Sequence, residues 1–271
     1  MRKVLIFSGS HPRHIFVNRL FLEFEIELSV VIMEREELIP NTPKNLPQKD
    51  MENFERHFYE RNLTEVKAYG NNTISQVKNI FSNCNILKTI SKNLNSSETI
   101  NFVRKFKPDF VFIFGCDLIK NPLLDLLPKN SINLHLGLSP WYRGSATLFW
   151  PFYNLQPQYA GVTFHRIVSE PDAGDILHQV TPDLIKGQGI HDVGVNCVFE
   201  AKKALKKIIT KVMNNSALNF HKQNSTGKNY LTSDFRPEHL RLIYNEFDNK
   251  IVNYYLSNSN RMKKPNLIKL F

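Results

Sequence analysis

The stretch Pro108-Asp109-Phe110-Val111-Phe112-Ile113-Phe114-Gly115 constrains this chain more than any other. Its bulky apolar residues run without polar alternation between a proline turn and a glycine. That pattern predicts a short strand buried on both faces, as the inner strands of parallel sheets are. Such a sheet needs helices on both sides, so the flanking sequence has to supply them. Upstream, residues 2–9 predict a second buried strand, ended by Ser8-Gly9-Ser10. A helix from about Pro12 follows, with Ile15, Leu20, Phe21 and Phe24 along one side, and then a strand over 27–33. A strand–helix–strand start of this length implies a right-handed parallel unit. Only Gly9 follows the first strand, with no G-x-G-x-x-G, so dinucleotide binding there has little support.

Residues 34–70 read as a loop carrying Pro40, Pro43 and Pro47, then an exposed helix over 49–67. On that helix His57 and Glu60 have metal-ligand spacing but no third ligand nearby, and they read as solvated surface. His11 and His14 read the same way, although their place after the first strand could bring them near a bound anion. A short helix over 72–83, a strand over 86–91 and a helix over 98–106 capped by Ser96 or Ser97 precede the central strand. A short helix over 122–127 comes next. Strands are then expected at 131–136, 161–168 and 176–180, with a helix from near Asp192 carrying Val198, Leu205, Ile208, Ile209 and Val212. Beyond Asn215 the pattern predicts a hairpin over 218–230 around Gly227. A helix should follow, started by Ser233 and Asp234 with Pro237 in its first turn.

The implied class is α/β: a Rossmann-like open, mostly parallel sheet over residues 1–215, with a small α+β segment over 216–271. Ligands of such sheets lie beyond the carboxyl ends of the strands.

Cys84, Cys116 and Cys197 are scattered, with no metal or redox spacing, so neither a disulfide framework nor a metal is expected and a reducing compartment fits. No apolar run approaches the ~20 residues of a membrane helix. The start, Met1-Arg2-Lys3-Val4, leads directly into a strand pattern rather than a signal peptide, so a cytoplasmic location is expected. The Asn-x-Ser/Thr triplets at Asn62, Asn71, Asn95, Asn214 and Asn224 then read as chance products of an Asn-rich chain. The net charge is +10, and residues 1–200 contribute nothing to it, with 21 Lys and Arg against 21 Asp and Glu. Residues 201–271 hold 14 against 4. A basic final quarter suggests an anionic partner, although Lys202, Lys203, Lys206 and Lys207 read as a solvated helix face.

The chemistry concentrates at two places. In Ile132-Asn133-Leu134-His135 the amide and the imidazole are two residues apart and share one face of a strand. The knot Glu170-Pro171-Asp172-Ala173-Gly174-Asp175 follows a further strand. An amide offers fixed N–H donors, an imidazole a titratable nitrogen, and a carboxylate can orient either. No Ser or Cys nucleophile sits in an elbow motif, so the set suits direct attack of an amine on an acyl carbon. His165 and His178 read as strand residues without a role, and Trp141 and Trp150 as packing.

Asn133-x-His135, the turn Leu138-Ser139-Pro140 with Tyr142-Arg143-Gly144, and Asp172-Ala173-Gly174-Asp175-Ile176 together resemble the folate-dependent formyltransferase family. The resemblance implies Asn133, His135 and Asp172 as catalytic residues and 10-formyltetrahydrofolate as co-substrate. It implies pterin contacts at Asp117, Leu118, Ile119 and Lys120 and at Val168 and Pro171. Arg143, Trp141 and Tyr142 are the expected substrate contacts.

Only 56 residues follow Asn215, too few for the C-terminal barrel of the transfer-RNA enzymes. The turn over 137–147 looks closer to sugar N-formyltransferases of surface-polysaccharide pathways, including lipopolysaccharide O-antigen. The expected acceptor is therefore a nucleotide-linked amino sugar and the expected assembly a homodimer, with residues 216–271 serving dimerisation or substrate contacts. Nucleic acid is not expected as a partner. Methionyl-tRNA formyltransferase is the alternative within enzymes, favoured only by the charge, and a catalytically silent folate- or nucleotide-binding protein is the alternative from another class.

Overall fold

The computed structural model describes residues 1–35, 39–70, 77, 79–223 and 227–271. Five strands run parallel: β1 (Arg2–Gly9), β2 (Ile26–Glu34), β3 (Asn85–Ile90), β4 (Phe110–Phe114) and β5 (Ile132–His135). A three-residue strand, β6 (Tyr142–Gly144), leaves the main sheet; β7 (Val162–Arg166) and β8 (Ile176–Val180) then complete it in antiparallel pairing. The order across the sheet is β3-β2-β1-β4-β5-β7-β8. All five residues of β4 are buried, and it lies in the middle of the sheet.

Alternation of side chains along the inner strands divides the core into two layers. Val4, Ile6, Phe110 and Phe112 face one layer, while Leu5, Phe7, Val111 and Ile113 face the other. The first is covered by α1 (Pro12–Asn18), α2 (Gln48–Tyr69) and, later in the chain, α5 (Ile190–Met213). The second is covered by α3 (Ser97–Phe106), through Ile100, Val103 and Phe106. The expected periodic residues of α5, Val198, Leu205, Ile208, Ile209 and Val212, are all buried. A one-turn helix, α4 (Trp150–Tyr153), follows the β6 turn. No described helix is long and apolar enough to cross a membrane.

Four expectations need correction. The helix over 49–67 is not an exposed one: α2 buries Asp50, Asn53, Phe54, His57 and Tyr69, its first half beneath the final segment of the chain and Tyr69 against Phe16 and Phe199. Arg241 bonds Asp50 at 2.6 Å and Asn53 bonds Asn245 at 3.2 Å. His14 is likewise buried, its ring 4.7 Å from that of Phe114 and directly over Gly115, where a Cβ would sit 2.2 Å from the imidazole.

The two arms of the expected hairpin pair elsewhere. His221 bridges Ile176 beside β8, and β9 (Lys228–Tyr230) runs parallel to β6. The helix expected after Pro237 is replaced by a 3-10 turn, Pro237–His239, and a π-helical turn, Leu242–Glu246, before α6 (Ile251–Asn258). Leu240, Ile243, Ile251 and Val252 of this segment belong to the same hydrophobic cluster as α5. The helix expected over 72–83 and the triplets at Asn71 and Asn224 lie wholly or partly outside the described residues.

Phe112 has no exposed surface and packs on Phe21 with ring centroids 5.3 Å apart. Phe112→Ala is expected to destabilise the fold by about 3–5 kcal/mol, read as a lower midpoint in urea at unchanged slope.

Candidate active site

The antiparallel pairing of β5 and β7 builds the site. Its register sets Asn133 opposite His165 and His135 opposite Thr163, so amide and imidazole leave the sheet side by side. Asp172 reaches them from the loop between β7 and β8, where its backbone takes a left-handed φ of 48°. A non-glycine residue held there costs about 1–3 kcal/mol, and the surroundings over-determine it. The Asp172 carbonyl accepts from Gln223 at 2.8 Å, and Gln223 also bonds the Gly174 carbonyl at 2.6 Å.

The Asp172 carboxylate gathers three groups. His135 Nδ1 lies 3.3 Å from Oδ2, His165 Nε2 lies 3.4 Å from Oδ1, and the Gly144 N–H donates to Oδ2 at 2.9 Å. Burial raises the carboxyl pKa, but the two imidazoles and the Gly144 N–H outweigh it and hold it well below the ordinary 3.8. Asp172 is therefore a carboxylate throughout the working range. For His135 burial dominates: its pKa falls below 6.5 although Asp172 and the Tyr142 carbonyl work in the other direction. At neutral pH the ring carries one proton. The 3.0 Å contact of Nε2 with the Tyr142 carbonyl places it there and leaves Nδ1, beside the carboxylate, ready to take a second.

His165 is the residue that sequence reasoning missed. Its Nδ1 donates to the Arg166 carbonyl at 2.8 Å, so Nε2 accepts from the Asn133 amide at 3.0 Å. That bond occupies one Asn133 N–H and aims the other outward. The one signal in the sequence was parity, since His165 shares a strand face with Thr163 in an alternating stretch. Its partner on β5 depends on register, which that parity does not specify.

The remaining expected residues are distributed around this cluster. Asp117 pairs with Arg35 at 2.6 Å and with the Ser91 hydroxyl. Asn95 accepts from the Lys120 N–H at 2.7 Å and donates to the Leu118 carbonyl at 3.0 Å, and the Ile119 side chain is buried in the second core layer. Val168 is half-buried and Pro171 exposed, on the loop that ends at Asp172. Tyr142 is buried and bonds Gln156 at 3.1 Å, while Trp141 packs edge-on against Tyr159. Trp150 stacks on Tyr230 at 4.5 Å. Arg143, half-buried, has a buried Nε with no hydrogen-bond partner.

On the far side of Gly137 a cavity of about 610 Å³ opens beside Leu136 and Thr147. Arg13, His57, Arg61, Glu65, Phe149, His191 and Phe235 also line it, and its size suits a small organic ligand. Among the described residues no group of three or more His, Cys, Asp or Glu could hold a metal ion.

This arrangement, a donor amide and an imidazole–carboxylate pair at the carboxyl edge of an open sheet, is suited to acyl transfer. The formyl transferase family profile matches residues 61–221, more than half of the chain, and the protein belongs to that family. Among curated proteins, the bifunctional polymyxin resistance protein ArnA of Wigglesworthia glossinidia brevipalpis is 39% identical over 89 residues. That match covers 32% of this chain but only 14% of the relative's length.

Solved structures share the fold. A 4-N formyltransferase from Francisella tularensis superposes with a TM-score of 0.56 at 19% identity, over 86% of this chain and 78% of that one. The N-formyltransferase from Helicobacter canadensis, in complex with folinic acid and dTDP-3-aminofucose, gives 0.55 at 20% identity, over 87% and 73%. The formyltransferase PseJ from Anoxybacillus kamchatkensis, in complex with UDP-4,6-dideoxy-4-formamido-L-AltNAc and tetrahydrofolate, gives 0.52 at 16% identity, over 92% and 95%.

Gly144 has a φ of 87°, and a Cβ there would meet the Tyr230 carbonyl oxygen at 2.2 Å. Gly144→Ala is expected to displace the N–H that holds Asp172 and to lower stability by about 2 kcal/mol or more, measured by chemical denaturation.

Proposed function

We propose that this protein transfers a formyl group from 10-formyltetrahydrofolate to the amine of a nucleotide-linked amino sugar. The single observation that carries the reading is the meeting of Asn133, His135 and Asp172 in one cluster; a 610 Å³ cavity lined by Arg13, Arg61 and Glu65 opens at Leu136, the residue after His135. The complexes named for the Helicobacter and Anoxybacillus proteins, with a dTDP- and a UDP-linked sugar, support the acceptor class.

The free N–H of Asn133 holds the oxygen that becomes negative when the amine attacks the formyl carbon, a contact typically contributing ~3–4 kcal/mol. His135 cannot share that contact while its Nε2–H is committed to the Tyr142 carbonyl. Its role is the proton: Nδ1 receives it from the attacking amine, and Asp172 stabilises the imidazolium until the proton passes to the leaving nitrogen of the folate. His165 positions Asn133 and Asp172. On this reading the turn Asp117-Leu118-Ile119-Lys120 and the loop Val168–Pro171 hold the pterin, and Arg143, whose buried Nε has no hydrogen-bond partner, meets the acceptor, while Tyr142 and Trp141 pack against Gln156 and Tyr159 and shape that turn.

On this reading residues 1–215 form the catalytic domain, and residues 216–271 act on the acceptor side. The reaction serves surface-polysaccharide assembly from a cytoplasmic sugar nucleotide, by a homodimer whose mass sedimentation would establish.

Asn133→Ala is expected to lower kcat about 10²–10³-fold with the protein still folded. The assay supplies formyltetrahydrofolate and a panel of aminodeoxysugar nucleotides, and mass spectrometry reads one added formyl group. Unchanged turnover in Asn133→Ala and His135→Ala would remove the catalytic proposal. Because burial lowers the His135 pKa from 6.5, kcat/KM is expected to hold through neutrality and fall only in acid below that value. An acid limb centred above pH 7 would contradict the assignment of His135 as base.

A further inference from the structure

Residues 167–175 join β7 to β8, and a segment from beyond the catalytic domain, residues 220–223, grips that loop. The His221 backbone exchanges two hydrogen bonds with that of Ile176, at 2.7 and 2.8 Å, where β8 begins. The Phe220 ring lies 4.2 Å from the Arg166 guanidinium, where β7 ends. Gln223 then reaches the loop between these anchors. Its side-chain nitrogen donates to the Asp172 carbonyl at 2.8 Å and to the Gly174 carbonyl at 2.6 Å. Both partners are acceptors, so only the NH2 of the amide can face them, and it uses both of its protons.

The loop needs such a hold. Asp172 has a left-handed φ of 48°, a conformation that a side chain disfavours and that persists only where the surroundings impose it. Gly174 passes so close to β7 that a Cβ would lie 1.8 Å from the Arg166 carbonyl oxygen. The backbone contact nearest Asp172 inside the loop, the Ala173 N–H to the Glu170 carbonyl, is long at 3.5 Å, and the Ser139 hydroxyl reaches the Asp172 carbonyl only at 3.4 Å. The two Gln223 bonds are the short ones. They fix the peptides on either side of Ala173, and with them the direction in which the Asp172 side chain leaves the backbone.

We propose that Gln223 is a positioning residue for formyl transfer: by holding the Asp172 and Gly174 carbonyls it keeps the Asp172 carboxylate against His135, so the chain beyond Asn215 completes the proton-handling half of the site. The proposal rests on the formyl-transfer reading above. The carboxylate sits 3.3 Å from His135 Nδ1, and misplacing a catalytic group by about 1 Å can cost on the order of a hundredfold in rate.

The sign of the pH effect follows from what faces His135. Burial lowers its pKa, and Asp172 is the negative charge that opposes this, while His165 of β7 and Arg143 of β6 act with burial. A carboxylate released from its place would leave the His135 pKa lower still and the ring a weaker base.

Gln223→Met keeps the length of the side chain without its donors, and Gln223→Glu keeps its shape but sets an oxygen against the two carbonyls. In both, kcat is expected to fall roughly tenfold to a hundredfold and the acid limb of kcat/KM to move to lower pH. The His135 ring signal, assigned by its loss in His135→Ala, is expected to titrate at lower pH by NMR. A brace that served folding alone would lower the unfolding midpoint and leave kcat and the His135 titration unchanged, and that result overturns the proposal. If neither variant folds, the unmodified protein decides. Its two Gln223 side-chain protons are expected to give separate signals that exchange slowly with solvent, and rapid exchange overturns the assignment. Should the unmodified chain transfer no formyl group, that reading fails, and the His135 titration in the variants alone decides whether Gln223 holds Asp172 in place.

Discussion

The carboxylate of Asp172 is the charge around which the site is arranged. A buried anion is tolerated only where its surroundings replace the water it has lost, and here three groups converge on it, of which the Gly144 N–H is the standing donor. Two imidazoles approach from β5 and β7, and a backbone N–H approaches from β6. Each of these groups is itself held. His165 is tied to the Arg166 carbonyl, His135 to the Tyr142 carbonyl, and Gly144 is held by the pairing of β6 with β9. The loop that carries Asp172 is fixed in turn by Gln223. The charge thus links one parallel strand, one antiparallel strand, one excursion from the sheet and a residue 51 positions further along the chain.

β5 is where the architecture changes sense. On one side it pairs parallel with β4, and on the other antiparallel with β7. The parallel half supplies a platform centred on the fully buried β4, and its strand ends lie at one edge. The antiparallel half returns the chain to that edge without a crossover helix, so Asn133 and His165 can lie opposite each other. A slip of one residue between β5 and β7 would turn the amide and the imidazole to opposite faces. Phe164 and Leu134, both buried on the core side, oppose such a slip.

The segment after Asn215 gives the second half of the site its shape. It crosses α2 and the start of α5, placing Tyr244 between two histidines and Asn249 against the Ile190 N–H at 3.0 Å. Thr232 and Phe235 of this segment line the cavity, and they fall in the short irregular region before α6, so that wall depends on a stretch with little regular structure of its own. That explains why α2 reads as a surface helix until its covering is present. His57 sits between Arg56 and Phe58 on a helix rich in charged residues, and only the return of the chain buries it.

Strand parity, apolar runs and turn residues are local properties, and they specified most of the sheet. β1, β2, β4 and β8 lie within about a residue or two of where the pattern puts them, because each is a run whose burial does not depend on which neighbour covers it. The pairing of Asn133 with His135 was legible for the same reason, as the i, i+2 geometry of a strand needs no tertiary information. Their distance to Asp172 was legible only through the family resemblance. The tertiary structure alone decided the role of His165, the burial of His57 and His14, and the separate partners of His221 and β9. Each of these depends on contacts between residues far apart in the chain, and nothing in the local sequence encodes which distant segment will cover a given face.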